Sequence, residues 1–262
     1  MERMTDGEYL AGQQYASGAN LSARRHLHER WSESAVDWHE WLFARLPEDP
    51  GDLLELAGGT GELWAVNRGR IPENWSLTLT DVSVGMVDEM RQRLGDRPRT
   101  EFHQADAREL PFESDSFDTV VMNHALYHVD DRPSALAEIR RVLRRGGTLV
   151  AATNGPAHMF ELDLLAAPVL GTPTEDPGVG FGLLSGYPQL LAHFDKVVVE
   201  RFPDSIVARG TEGVEDVYAY VASTLESPEP DAMAELRVAI EARVANGGFR
   251  ITKDVGVFTA FA

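Results

Sequence analysis

The run Leu53-Leu-Glu-Leu-Ala57 leads directly into Gly58-Gly59-Thr60-Gly61 and then into a helical pattern from about Glu62. An apolar five-residue segment of this kind reads as a buried strand. Glycines at its end permit positive φ and let a ligand approach the backbone with no Cβ in the way. In open α/β sheets the ligand lies at the carboxyl ends of the strands, which is where this turn falls. Two familiar alternatives fail on the residues. A dinucleotide fingerprint begun at Gly59 would require glycine where Trp64 stands, and a phosphate loop would require a following Gly-Lys-Ser/Thr. A tight strand–helix turn without ligand is the remaining bland reading.

The same alternation continues downstream. Leu77–Thr80 reads as a strand ending at Asp81, and Ser83 as the N-cap of a helix carrying Met86, Val87, Met90 and Leu94. Phe102 marks a third strand ending near Asp106, and residues 117–122 a fourth. Pro133 opens a helix with Leu136, Ile139, Val142 and Leu143 on one face; Gly146-Gly147 ends it before a fifth strand over 148–152. Strands and helices alternating at this spacing predict βαβ units and a doubly wound, mainly parallel α/β sheet. Residues 20–46 read as one helical stretch, ended by Pro47. After Asn154 the alternation breaks into a helix and a Gly/Pro-rich stretch from Gly171 to Pro188, then a strand over 196–202, helices over 212–226 and 230–245, and a closing strand over 249–261. The expected organisation is a helical N-terminal cap over 1–46 and a main domain over 47–262, with an inserted segment at 155–190.

Composition narrows the partners. The 262 residues carry 42 Asp+Glu against 24 Lys+Arg, a formal charge of −18, which excludes non-specific binding to nucleic-acid phosphates or anionic membranes. The absence of cysteine removes disulfides, thiolate nucleophiles and cysteine metal sites. No apolar signal core and no run of about 18 apolar residues is present, so a cytoplasmic protein is expected.

Two acids stand behind the glycine turn. Asp81, 20 residues after Gly61, is placed to accept hydrogen bonds from a ribose diol, or to serve as an ordinary turn aspartate. Asp106 ends the third strand, where a carboxylate would accept an adenine amino group. With these residues in view, Glu55-Leu-Ala-Gly-Gly-Thr-Gly61, Thr80-Asp-Val-Ser-Val-Gly-Met86, Ala105-Asp-Ala107, Phe117-Asp-Thr-Val-Val121 and Arg140-Arg-Val-Leu-Arg-Arg-Gly-Gly-Thr-Leu149 resemble a class I S-adenosylmethionine-dependent methyltransferase over roughly residues 50–155. The branch it is similar to includes ubiquinone/menaquinone C-methyltransferases and many small-molecule N- and O-methyltransferases. The resemblance implies a seven-stranded Rossmann-like methyltransferase fold and S-adenosylmethionine as cofactor. It places Glu55, Ala57, Gly58, Gly59 and Gly61 on the methionine part, Asp81 on the ribose, Val82 and Met86 near the adenine, Asp106 and Ala107 on the adenine, and Asn123 and His124 beside the sulfonium.

Methyl transfer needs an aligned nucleophile, and a base only where the acceptor must lose a proton. His124, Tyr127 and His128 follow strand four and are the catalytic candidates; either histidine would equally serve by packing against cofactor. The i, i+4 histidines lack the glutamate of a zinc motif, with Ala125 in its place, so no metal is expected. In the N-terminal segment Tyr15 and His28 are candidates to close over cofactor, and Arg24 and Trp31 over substrate, against a reading of this aromatic helix as core. His158, Met159 and Phe181 are further candidates for the substrate pocket. The expected function is methyl transfer to N, O or C of a small aromatic or heterocyclic metabolite by a monomer or homodimer. The alternative is a fold relative that uses S-adenosylmethionine for cyclisation or aminocarboxypropyl transfer. A nucleic-acid acceptor is disfavoured by the charge and by the lack of an Asn/Asp-Pro-Pro-Tyr signature.

Overall fold

The structure is a computed structural model that describes residues 18–49, 51–170, 180–225 and 229–262, with the backbone course alone for 18–24 and 170. In chain order its elements begin with α1 (Gly18–Trp31), α2 (Trp38–Phe43), β1 (Asp52–Leu56), α3 (Glu62–Val66), β2 (Ser76–Asp81), α4 (Val84–Leu94), β3 (Thr100–Gln104) and β4 (Phe117–Asn123). Then come α5 (Arg132–Val142), β5 (Leu143–Asn154), α6 (Phe160–Leu170), α7 (Gly186–Leu191), β6 (Lys196–Arg201) and β7 (Asp204–Ala208). The chain ends with α8 (Gly210–Ala222), α9 (Pro230–Ala245), β8 (Phe249–Lys253) and β9 (Val255–Phe261).

The chain divides into two compact units, each assembled from separate segments. Of the described residues, one comprises 36–49, 51–155, 180–202 and 255–262; the other comprises 18–35, 156–170, 203–225 and 229–254. These boundaries differ from the expected 1–46 cap with an insertion at 155–190. Residues 36–46 belong with the sheet because Trp41, Leu42 and Leu46 are buried in its core, and the second unit takes in α8, α9 and a strand pair as well as α6.

The first unit is a seven-stranded sheet in the order β3-β2-β1-β4-β5-β9-β6. Neighbours from β3 to β5 pair in parallel, and β9 alone runs antiparallel, between β5 and β6. Both faces are covered. Leu54, Leu56, Val120, Met122, Leu149 and Phe258 point into one core, and Leu53, Leu79, Val121, Val150 and Val257 into the other. Successive residues of β1, β4 and β5 alternate between the two cores, so these strands read as largely apolar runs, whereas β2 (Ser-Leu-Thr-Leu-Thr-Asp) alternates and β3 at the sheet edge is mostly polar.

The second unit pairs β7 with β8 in a two-stranded antiparallel sheet. It buries Leu27, Leu162, Ile206, Val217, Leu236, Ile240 and Ile251 together. Within it Lys253 Nζ lies 2.6 Å from the buried Asp204 carboxylate. Burial alone would raise the Asp204 pKa, but hydrogen bonds from Lys253, Ser32 and the Ser34 N–H hold it below the usual range.

Three expectations are corrected. The helix expected over 20–46 is two helices, because Ser32 leaves the helical path to bridge Ile206 and Asp37 N-caps α2 by accepting from the His39 and Glu40 N–H groups. The strand expected over 249–261 breaks at Asp254 into β8 and β9, which belong to different sheets. Gly146-Gly147 does not end a helix: α5 stops at Val142, and the glycines lie inside β5, with Gly146 at φ 78°. Among the described residues no helix is long and apolar enough to cross a membrane.

Gly256 lies in β9 with neighbours on both sides, and a Cβ there would run into the Glu200 backbone oxygen. Backbone cannot move aside as a flexible side chain would. Gly256→Ala is therefore expected to destabilise the protein by about 1–3 kcal/mol, read as a lowered urea midpoint.

Candidate active site

The carboxyl ends of β1 and β2 are tied together before any ligand is considered. Thr80 Oγ1 donates to the Glu55 carbonyl at 2.8 Å, and the Gly58 N–H donates to the Thr80 carbonyl at 2.8 Å. Asp81 then accepts from two turns at once, from the Gly59 N–H at 3.0 Å on Oδ2 and from the Ser83 N–H at 2.9 Å on Oδ1. Asp81 is buried, which raises its pKa against the opposing pull of its backbone hydrogen bonds.

Glu55 is almost fully buried, and its Oε2 accepts from Trp64 Nε1 at 2.6 Å. Desolvation pushes its pKa up to about 7; the Trp64 hydrogen bond opposes this and the charge of Asp81 adds to it. Glycine is required at 58 because a Cβ would stand 2.6 Å from Glu55 Oε2. Gly59, at φ 55°, has open space where a Cβ would be. Ala57 takes a left-handed φ of 54°, which completes the turn. Val82 is exposed and Met86 half-buried beside Asp81, and Gln104 Nε2 holds the Val82 carbonyl at 2.8 Å.

Asp106 follows β3 but is not a free carboxylate. Arg108 grips it through Nε and Nη2, the latter at 2.7 Å, and through its backbone N–H at 2.9 Å, while Nη1 reaches Asp130 at 2.8 Å. The Arg108 hydrogen bond holds the Asp106 carboxyl below its ordinary pKa. Ala107 is half-buried against the core. Arg108 went unnoticed in the sequence reading; its position two residues after the acid was the available signal.

At the end of β4, Asn123 Oδ1 accepts from Trp38 Nε1 at 3.3 Å. His124 follows at φ 53°, its N–H bonded to the Ala152 carbonyl and its ring 5.2 Å from that of Trp38. Tyr127 and His128, in the next turn, have ring centroids 4.5 Å apart, and Tyr127 lies 6.3 Å from His124. Thus Glu55, the glycine turn, Asp81, Asp106, Asn123, His124, Tyr127 and His128 all fall at or just beyond the carboxyl ends of β1 to β4.

The second unit holds the other candidates. His28 and His158 stack with centroids 6.0 Å apart and an interplanar angle of 2°, and Tyr220 meets His28 edge-on. His158 Nδ1 is enclosed without a hydrogen-bond partner, and burial, with His28 and Lys253 adding to it, pushes the imidazole down to about 3. His158 is therefore neutral at physiological pH. Met159 is buried in this unit's core, and Trp31 packs against it, donating to Asp216 at 2.8 Å. Tyr15 lies outside the described residues, and Arg24 lies on α1. Phe181 is corrected: it is fully buried in the sheet unit, packed edge-on to Phe258, with its carbonyl accepting from Thr153, so it is core rather than pocket wall. A cavity of about 630 Å³ lined by Arg209, Thr211, Glu215, Glu241 and Gly248 holds none of the expected site residues. Among the described residues no three His, Cys, Asp or Glu side chains are arranged to hold a metal ion.

The sheet order, the glycine turn and the strand-end acids agree with the comparisons: part of this chain is similar to methyltransferases. The methyltransferase-domain family model matches residues 54–151. Among curated relatives, the ubiquinone/menaquinone biosynthesis C-methyltransferase UbiE of Xylella fastidiosa strain M12 is 38% identical over 114 residues, 42% of this chain and 45% of that protein. UbiE of Stenotrophomonas maltophilia strain R551-3 is 35% identical over 147 residues, 54% of this chain and 57% of that protein. The chain thus spans about half the length of the curated relatives it matches. Among solved structures, a possible histamine N-methyltransferase from Thermotoga maritima superposes with TM-score 0.55 at 15% identity, covering 95% of this chain and 98% of that one. Phosphoethanolamine N-methyltransferase 2 of Haemonchus contortus, in complex with S-adenosylmethionine, gives 0.59 at 18% identity over 98% of this chain and 59% of that one. At these identities the structures share the fold.

Glu55 also yields a stability prediction. Its folded pKa of about 7 lies above the ordinary 4.5, so the folded state holds the extra proton between those values. Its contribution to stability is fully present below pH 4.5 and is lost as pH rises through 7. Glu55→Gln removes that loss, and at pH 8 the variant is expected to exceed the parent by on the order of 1–3 kcal/mol. Urea unfolding at pH 5 and pH 8 checks this, the gap being small at pH 5 and widening by pH 8.

Proposed function

We propose that the protein is an S-adenosylmethionine-dependent methyltransferase that acts on a small aromatic or heterocyclic metabolite, with carbon as the favoured accepting atom. The observation that carries this reading is the row of acids Glu55, Asp81 and Asp106 at the ends of three adjacent parallel strands. The open space over Gly59 and the exposed Val82 beside Asp81 fit a nucleoside cofactor, with no side chain to displace. The UbiE relatives, named as C-methyltransferases, favour carbon.

When bound, S-adenosylmethionine supplies an electrophilic methyl group. Glu55 and the Ala57–Gly61 turn would hold the amino-acid end, Asp81 would accept the ribose hydroxyls, Val82 and Met86 would pack on the adenine, and the chain at Ala107 would address its polar edge, with the Asp106 carboxylate engaged by Arg108. A buried Glu55 carboxyl gives up its proton when an ammonium group comes to it, since an opposite charge favours the ionised form. His124 and His128 take the acceptor's proton where it must leave, and Tyr127 orients. A neutral His158 suits hydrogen bonding to an uncharged group better than it suits proton abstraction.

The test is product analysis by mass spectrometry with S-adenosylmethionine alone and then with metabolite pools. S-adenosylhomocysteine formed only with an acceptor is the expected result. Methylthioadenosine formed without an acceptor overturns methyl transfer in favour of the alternative chemistry. Asp81→Ala is expected to weaken S-adenosylmethionine binding by about 1–3 kcal/mol in calorimetry. Affinity should also rise as pH passes 7, the Glu55 pKa, and Glu55→Gln should flatten that rise.

A further inference from the structure

We infer that Trp38 is a positioning residue: it turns the Asn123 amide so that the NH2 group serves the site, and this selects an acceptor bearing a hydrogen-bond-accepting oxygen, such as a phenolate. The inference rests on the reading that the end of β4 borders the transferred methyl.

An indole N–H is a donor and nothing else, so the amide atom that meets it must be the oxygen. Trp38 Nε1 lies 3.3 Å from Asn123 Oδ1, which leaves Nδ2 and its two N–H groups on the other side of the amide. That the indole can impose this orientation follows from how it is held. Trp41 stacks on it at 5.4 Å, Phe202 meets it edge-on at 5.5 Å, and His124 leans on it at 5.2 Å. Trp41 is in turn covered by the Arg45 guanidinium, 3.5 Å from its ring centroid. The amide's own backbone is fixed as well: His124 turns the chain at φ 53° and donates its N–H to Ala152, so Asn123 sits at the last position of the β4 ladder.

The chemical consequence is a choice of sign. An amide free to rotate presents either a donor or an acceptor to a ligand. One whose oxygen is turned toward the indole carries its NH2 donors on the opposite side, where a ligand would meet them first. A donor at this place favours a ligand group with negative charge or lone pairs and disfavours one that offers only N–H groups, because two donors facing each other leave both unpaired. A hydroxyaromatic acceptor meets that condition in its ionised form, and an aromatic amine does not.

The experiment uses the full chain saturated with S-adenosylhomocysteine at pH 8 and two isosteric probes free of a nitro acceptor, pentafluorophenol, which is ionised there, and pentafluoroaniline. Binding is followed by calorimetry. The expected result is a preference of roughly tenfold for the phenolate. Trp38→Phe, which keeps a ring and loses the N–H, is expected to cut that preference roughly threefold or more. Asn123→Asp, which replaces the NH2 by an oxygen, is expected to abolish it. No preference in the parent protein, no binding of either probe, or a preference that survives Asn123→Asp overturns the inference. Should Trp38→Phe fail to fold, Asn123→Asp decides alone. Failure of the parent protein to bind S-adenosylhomocysteine overturns the proposed function instead, so the two failures are distinguishable.

Discussion

Two backbone N–H groups from different turns converge on the carboxylate of Asp81, and the candidate site depends on that convergence. Gly59 belongs to the turn after β1 and Ser83 to the turn after β2, so one side chain sets the spacing between two loops. It does so only while the strands stay in register, with Glu55 opposite Leu79. A slip of one residue would reverse every side chain on β2 and turn Asp81 away from Gly59. The apolar faces of β1 and β2, buried in two separate cores, are what forbid that slip. Core packing and site geometry are therefore a single constraint.

The acids of the site are not in equivalent states. Glu55 is desolvated enough to hold a proton near neutrality, Asp81 is buried but satisfied by backbone donors, and Asp106 lies in the grip of Arg108. The first two cost stability to maintain, because burial works against their charged forms. Arg108 compensates Asp106 at the surface, where such a pair contributes modestly. Most of the formal charge of −18 lies elsewhere and says little about the chemistry.

The central parallel strands were legible because both their faces are buried, and edge strand β3 because aspartate punctuation follows it. What escaped the sequence was mostly a matter of partners far along the chain. Asp204–Ala208 is short, follows Pro203 and becomes a strand only by pairing with Phe249–Lys253. Residues 249–261 carry one unbroken β pattern, and nothing local shows that Asp254 divides it between two sheets. Phe181, in a Gly/Pro-rich stretch, resembled a loop aromatic, yet Phe258 and Thr153 make it core. Trp38 was visible as one aromatic among several; its hydrogen bond to Asn123, 85 positions away, was not.

The second compact unit is drawn from three stretches separated by the sheet unit's own residues. No single cut, deletion or recombination event can remove it or exchange it whole. The matched methyltransferase region over 54–151, by contrast, is one uninterrupted run. The curated relatives match this chain over about half of their own length.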